Sequence, residues 1–83
     1  MKINIKYRAQ LAALTKIASE SVNAENVKDV LKHVKHQFGV EAEKLAKTML
    51  IVVNGQSINL LKSFKTVLKD GDEVSFLPIC GGG

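Results

Sequence analysis

The sequence has 83 residues, of which 46% are hydrophobic, and its 12 Lys and Arg against 8 Asp and Glu give a net charge of +4. This length has room for one small domain, and a single cysteine excludes an internal disulfide. No apolar stretch approaches the roughly 20 residues of a membrane span, and the charged start MKINIK is not followed by a signal-peptide segment. We therefore expect a cytoplasmic protein without a membrane partner.

The first part of the chain predicts a strand and then weaker elements. Apolar and polar residues alternate from Met1 to Arg8, which is typical of a strand with one buried face. In AQLAALTKIAS, Leu11 and Leu14 fall at helical spacing, so a short helix is expected there, with a loop as the alternative. The polar segment SESVNAEN around Val22 is either a weak edge strand or a connection.

The strongest helical signal follows Asn26. Asn26 is a suitable N-cap, and Gly39 is a suitable residue to end the helix. The segment VEAEKLAKT beyond it is ambiguous and could add a helical turn around Leu45. The apolar stripe recurs at i, i+3, i+4, i+7 and i+11 and consists of Val27, Val30, Leu31, Val34 and Phe38.

A continuous apolar run over residues 49–53 ends at Asn54-Gly55, the dipeptide that best suits a two-residue hairpin turn. We expect a buried strand, a tight turn and a short partner strand around Ile58. The connection over residues 60–68 is expected to be held by apolar anchors, namely Leu61, Phe64 and Val67.

The end of the chain predicts a second turn and a last strand. Lys69-Asp70-Gly71-Asp72 has the composition of a turn, and residues 73–79 read as a strand that Pro78 ends or places at an edge. The order of elements predicts an α+β fold, with a four- to five-stranded sheet and one main helix packed across it.

Motifs of common enzymes are missing from the sequence. There is no glycine-rich phosphate loop, no pair of cysteines for zinc and no GxSxG segment. His33 and His36 are three residues apart on the predicted helix, but no third ligand is evident, so we expect solvated histidines and no metal site.

Two further features each allow a functional and a purely structural interpretation. Lys28, Lys32 and Lys35 share the outer side of the predicted helix, but no aromatic residues are interleaved with them. An ordinary charged face is therefore favoured over nucleic-acid binding. Cys80 lacks the cationic neighbour that lowers a thiol pKa, so a structural thiol is favoured over a nucleophile.

The chain finishes with Pro78-Ile79-Cys80 and three glycines. Glycines gain no packing, so we expect a domain over residues 1–79 and a flexible glycine tail over residues 80–83. A slim tail would pass through a channel that any Cβ would obstruct. Five extended residues reach about 17 Å, enough to deliver the Gly83 carboxylate deep into another protein.

Several segments together resemble the ubiquitin-like β-grasp sulfur carriers, and most closely the small subunit of molybdopterin synthase. They are MKINIKY with RAQLAAL, the helix NVKDVLKHV, the strand and turn LIVVNGQSI, and LKDGDEVSFLP leading to a terminal diglycine. The last segment is the most specific. Two departures are Ile79-Cys80-Gly81 where the family often has Pro-Val/Ile-Ser/Thr, and a positive charge where members are often acidic.

The resemblance implies a ubiquitin-like β-grasp fold and a sulfur carrier that has no catalytic side chain and no bound cofactor. An adenylating enzyme related to ubiquitin-activating enzymes would use ATP and magnesium to activate Gly83, which becomes a thiocarboxylate. Gly81 and Gly82 would form the slim approach. The larger subunit of molybdopterin synthase would accept the sulfur for the molybdenum cofactor.

The same tail would also serve thiazole, cysteine, tungsten-cofactor or tRNA pathways. A protein modifier and a plain interaction module are the alternatives from other classes. Beside the tail, we expect a docking patch for the partner enzyme, formed by Leu77, Ile79 and Phe76. The alternative is that these residues belong to the core, since alternation along the strand could turn Val74 and Phe76 inward.

Overall fold

The strands form one mixed five-stranded sheet with helices packed across it, in a computed structural model that describes residues 1–79. Two short 3₁₀ helices, Ile58–Leu60 and Ser63–Lys65, precede the last strand. The main elements in chain order are β1 (Lys2–Lys6), α1 (Ala9–Thr15), β2 (Ser19–Asn23), α2 (Val27–Phe38), α3 (Val40–Thr48), β3 (Leu50–Val53), β4 (Gln56–Ser57) and β5 (Glu73–Leu77).

The sheet order is β2-β1-β5-β3-β4, which places the last strand of the sheet at its centre. β1 and β5 run parallel, while β1–β2, β3–β4 and β3–β5 are antiparallel pairs. Parallel neighbours require a long crossover, and the whole of the chain between β1 and β5 supplies it. This arrangement confirms the predicted α+β class and the mixed sheet.

One face of the sheet is buried because apolar and polar residues alternate along its first strand. Ile3 and Ile5 are fully buried, whereas Asn4 between them is exposed. On β5, Val74 and Phe76 join the same core cluster. Successive side chains of a strand point to opposite faces, so the strand predicted from Met1 to Arg8 is confirmed.

α2 is the main helix, and it begins and ends where the sequence predicts. The Asn26 Oδ1 accepts a hydrogen bond of 2.8 Å from the backbone N–H of Asp29, which satisfies one free donor of the first turn. Gly39 ends the helix with φ of +103°, a conformation that side chains rarely adopt. The buried stripe consists of Val27, Val30, Leu31 and Val34, with Phe38 packed at its edge.

Both ambiguous segments are helices in the structure. α1 buries Leu11 but leaves Leu14 45% exposed, because only one side of this short helix faces the core. α3 lies against α2 and buries Ala42 and Ala46, whose small side chains allow the two helices to approach closely. The helical side of the domain is therefore a pair of packed helices.

The hairpin between β3 and β4 confirms the predicted tight turn. Asn54 and Gly55 have φ values of +51° and +83°, as a type I′ turn requires, and Val53 pairs with Gln56 across it. The Asn54 side chain also contacts Asp72: its Nδ2 donates to Asp72 Oδ1 at 2.9 Å. This contact fastens the hairpin to the turn before β5.

The connection between β4 and β5 is held differently from the prediction. Leu61, Phe64 and Val67 are 37%, 40% and 74% exposed, so the prediction that they are apolar anchors is wrong. Leu68 is buried instead, and its N–H donates to the Glu25 carbonyl at 2.9 Å. Backbone hydrogen bonds to the start of α2 hold this segment, which leaves its apolar side chains on the surface.

Three aromatic rings contact one another at the core. Tyr7 lies parallel to Phe76 with centroids 6.1 Å apart, and it meets Phe38 edge-on at 5.7 Å. These contacts join β1, β5 and the end of α2. Within residues 1–79, no helix is both long enough and apolar enough to cross a bilayer.

Candidate functional site

The candidate site is the place where the chain leaves the sheet. β5 is held between β1 and β3 and ends at Leu77. Pro78 and Ile79 follow it and are exposed, Ile79 by 63%. Cys80 and the three glycines, including the predicted reactive Gly83 and its approach residues Gly81 and Gly82, lie outside the described residues.

Of the three predicted docking residues, Phe76 is in the core. It has no exposed surface and stacks on Tyr7, so the interpretation of Phe76 as a docking residue is wrong. The reason is strand alternation: Val74 and Phe76 share the buried face. Phe76 contributes to the site indirectly, by fixing the strand from which the tail emerges.

Leu77 lies on the opposite, outer face of the sheet. It is half-buried and pairs across the sheet with Leu50. Two residues further along β3, Val52 pairs with Ser75 on the same face. Leu50 and Val52 are absent from the core cluster that contains their neighbours on β3. Cross-strand partners share a face, so Leu50 and Leu77 form a small apolar surface, and Val52 beside them is buried at 8% exposure.

Ile79 borders a different surface. It lines a cleft of about 200 Å³ beside α3, together with Met49, Ile51, Ile58 and Phe64. The structure therefore does not bring Leu77 and Ile79 into one patch: Leu77 belongs to the outer face of the sheet and Ile79 to the cleft. We call Leu77, Pro78 and Ile79, which precede the glycine tail, the root of the tail.

Sequence reasoning missed Leu50 and Phe64 as surface residues. Leu50 belongs to an apolar run that predicts a strand buried on both faces, yet it is half-buried on the outer face. Phe64 was expected to be an anchor and is 40% exposed. A hydrophobic run carries no signal of which residues remain uncovered, because that depends on the neighbouring strands.

Several polar groups elsewhere in the domain are engaged in structural contacts. The Asp72 carboxylate accepts hydrogen bonds from the backbone N–H of Lys69 and from Asn54, and these hold its pKa below the usual range. Of the two histidines expected to be solvated, His36 is exposed, but His33 is half-buried and its Nε2 lies 2.9 Å from Glu20 Oε2. Within residues 1–79, no group of three or more His, Cys, Asp or Glu is placed to hold a metal.

The parallel β1–β5 pair at the centre of a mixed sheet, the helix across it and the exposed chain end after β5 define the ubiquitin-like β-grasp class. Residues 5–83 match the ThiS family. The chain therefore belongs to this family of ubiquitin-like sulfur carriers. No curated protein sequence matches the chain.

Solved structures from archaea and bacteria share the fold. The small archaeal modifier protein 1 of Methanosarcina acetivorans superposes with a TM-score of 0.80 at 24% identity, over 99% of this chain and 96% of that one. CysO, in the BexX/CysO complex of Amycolatopsis orientalis, gives a TM-score of 0.82 at 19% identity, over 98% and 99% of the two chains.

A third structure is the complex of subunits 1 and 2 of the molybdopterin-converting factor from Helicobacter pylori. The match has a TM-score of 0.70 at 23% identity and covers all of both chains. In two of these three structures, a protein of this fold is seen together with a second protein.

Proposed function

We propose that the protein carries sulfur on the Gly83 carboxylate for molybdopterin biosynthesis. The observation that supports this most is the β5 exit: a centrally anchored strand continues through two exposed residues into a segment with three consecutive glycines. The ThiS family match extends through residue 83, so the matched range includes the glycine segment.

The chemistry follows from the weakness of a carboxylate as an acyl electrophile. An adenylating enzyme would join the Gly83 carboxylate oxygen to the α-phosphorus of ATP, with magnesium present, and release pyrophosphate. A persulfide sulfur would then attack the acyl carbon and release AMP. Reductive cleavage of the sulfur–sulfur bond by a thiol leaves a thiocarboxylate, whose sulfur is a better nucleophile than oxygen.

The folded domain would bind two partner proteins in turn. The adenylating enzyme would bind the surfaces at the root of the tail, and the larger subunit of molybdopterin synthase would then accept the tail and its sulfur. Leu77 on the outer face and Ile79 in the cleft are the described residues best placed for these contacts. Gly81 and Gly82 would let the backbone enter a narrow channel.

The direct test is intact mass spectrometry after incubation with the cognate activating enzyme, ATP, magnesium and a persulfide donor. We expect the mass to rise by the difference between one sulfur and one oxygen. A chain that lacks Gly82 and Gly83 has no terminal diglycine, so it should show no exchange, and it should keep its fold because the core within residues 1–79 is unchanged. Exchange in the truncated chain, or none in the intact chain, would refute the proposal.

Cys80→Ser is the matched control, since Cys80 is the one other place in the tail where sulfur can reside. This variant should still undergo the exchange. A persulfide on Cys80 would instead add a whole sulfur atom without the loss of oxygen, so the two products have different masses. The pathway is then tested by mixing the thiocarboxylate with a molybdopterin synthase large subunit and its precursor pterin.

A protein modifier is the second candidate, because the fold is shared with the small archaeal modifier protein 1 at a TM-score of 0.80. A modifier would form an amide between Gly83 and a lysine of another protein. Such conjugates survive thiol reductants, whereas acyl persulfides and thioesters do not. Reductant-resistant conjugates in cells would favour the modifier over the sulfur carrier.

A further inference from the structure

A second surface lies on the helical side of the domain, away from the outer face of the sheet. It is a groove of about 510 Å³ between α2, α3 and the 3₁₀ helix Ser63–Lys65. Leu31, which is 4% exposed, and Phe64, which is 40% exposed, supply its apolar lining. Phe64 is therefore the main exposed apolar side chain of the groove, and Leu31 lies buried beside it.

The rim of the groove is strongly basic. It has one carboxylate, Glu43, which lies 3.9 Å from the ammonium of Lys47. Among residues 1–79, no other carboxylate comes within 4.0 Å of the groove lysines. The lysines that line it are Lys28, Lys32, Lys35, Lys47 and Lys65.

The groove accounts for the whole net charge of the chain. The chain has 12 basic and 8 acidic residues, and five of the basic and one of the acidic residues line the groove. Seven residues of each sign remain elsewhere, so the rest of the molecule is balanced. The excess of +4 is therefore concentrated on one surface, where it creates a field that attracts anionic groups.

We propose that this groove docks an acidic segment of a partner protein. An apolar side chain of the segment would sit over Leu31 and Phe64, and carboxylates on both sides of it would meet the rim lysines. Lysine stems add apolar surface while their ammonium groups stay in water, which suits such a mixed ligand. The surface accounts for the three lysines of α2 that the tail chemistry does not use.

A protein segment fits the groove better than a nucleic acid does. Proteins that bind single strands combine basic residues with several aromatic side chains on which the bases stack, but Phe64 is the one aromatic residue among those lining this groove. Phe64 and Lys47 also line the cleft that contains Ile79, so a bound segment would lie beside the root of the tail.

The test is an NMR titration of the full ¹⁵N-labelled chain with a short capped peptide in which a central Phe is flanked by Asp and Glu. We expect shifts confined to α2, α3 and the 3₁₀ helix Ser63–Lys65, and weaker binding at about 0.3 M salt than at about 0.05 M. The same peptide with Ala in place of Phe should bind at least about fivefold more weakly, since it lacks the apolar anchor.

Matched charge reversals identify the surface. Lys32→Glu and Lys44→Glu are both exposed helical positions and change the net charge equally, but Lys44 does not line the groove. Lys32→Glu should weaken peptide binding about three- to tenfold, and Lys44→Glu less than twofold. Lys65→Glu, in a different element, is a second groove variant in case Lys32→Glu perturbs the helix.

Several outcomes would overturn the docking proposal. They are equal effects of the groove and control variants, equal affinity for the Phe and Ala peptides, absence of shifts at millimolar peptide, or tighter binding of an oligothymidylate at the same residues. The titration needs neither ATP nor a tail, and the chain that lacks Gly82 and Gly83 should bind the peptide normally. Failure of sulfur transfer therefore leaves this proposal standing, and failure of peptide binding leaves the transfer proposal standing.

Discussion

The buried hydroxyl of Tyr7 offers a sharp test of how β1, β2 and α2 are joined. Tyr7 is 2% exposed, and its hydroxyl donates to Glu20 Oε2, the same oxygen that lies 2.9 Å from His33 Nε2. Tyr7→Phe removes this donor but keeps the ring that stacks on Phe76. The substitution therefore isolates one hydrogen bond from the packing around it.

The expected loss of stability is about 1–2 kcal/mol. A hydrogen bond to a charged group contributes about 1.5–3 kcal/mol, but the Glu20 side chain is 22% exposed, so water replaces part of the interaction. For a domain of this size, such a loss lowers Tm by about 4–16 °C. Urea denaturation followed by circular dichroism measures it, and Tyr7→Leu should cost more because the stacking is also lost.

The Tyr7 hydroxyl also makes the free energy of unfolding depend on pH in the alkaline range. Burial first, and then the hydrogen bond and the charge of Glu20, raise the pKa of Tyr7 above its ordinary value. The folded chain thus keeps the phenol neutral, while the unfolded chain ionises it near pH 10. The stabilisation is fully present below about pH 10 and is lost as the pH rises further.

This linkage is measurable because Tyr7 is the one tyrosine of a chain without tryptophan. We expect phenolate absorbance to appear together with alkaline unfolding, and Tyr7→Phe to flatten the decline of stability above about pH 10. Lysines also titrate there, so the comparison with Tyr7→Phe separates their effect. Phenolate absorbance that rises near pH 10 while the circular dichroism stays native would refute the reasoning.

Three further substitutions test the helix cap, the root of the tail and the core beneath it. Asn26→Ala should cost about 0.5–2 kcal/mol in urea denaturation because Asp29 loses its N–H acceptor; an equal loss for Asn23→Ala, an exposed residue on the edge strand, would contradict this. Ile79→Asp should change stability by less than about 0.5 kcal/mol yet slow adenylation by the activating enzyme. Unchanged adenylation of Ile79→Asp would show that Ile79 does not contact the activating enzyme. Phe76→Ala should instead lower the free energy of unfolding by about 3–5 kcal/mol, since it leaves a cavity at a fully buried position.

Local patterns predicted β1, α2, β3 and β5 well because their signals are local. The strand expected around Ile58 instead lies at Gln56–Ser57, and the sequence leaves β2 open as an edge strand or a connection. The cap at Asn26 and the turn at Asn54-Gly55 depend on the chemistry of one or two residues. Segments with mixed signals, α1 and α3, become helices through packing, as the burial of Ala42 and Ala46 beside α2 shows. Intrinsic helix propensity is a weak guide to structure because packing can override it, so the sequence alone did not decide whether these two segments are helices.

The exposed residues of the site were harder to predict than the core. Leu61 and Val67 look like anchors in the sequence, but hydrogen bonds between the backbones of the connection and the start of α2 hold that segment. Leu50 and Leu77 are half-buried on the outer face of the sheet, although the next pair on that face, Val52 and Ser75, is buried. Such exposure is a property of the assembled fold, which local spacing does not report.

The pairing of β5 indicates how the domain controls its tail. β1 pairs with β5 from Glu73 to Ser75, whereas β3 continues the pairing to Leu77. At the point of exit, the tail root is therefore fixed from the β3 side, through the Leu50–Leu77 pair. That pair also forms the outer apolar surface. A partner that binds Leu50 and Leu77 would therefore contact the last paired residue of β5 and orient the tail that follows it.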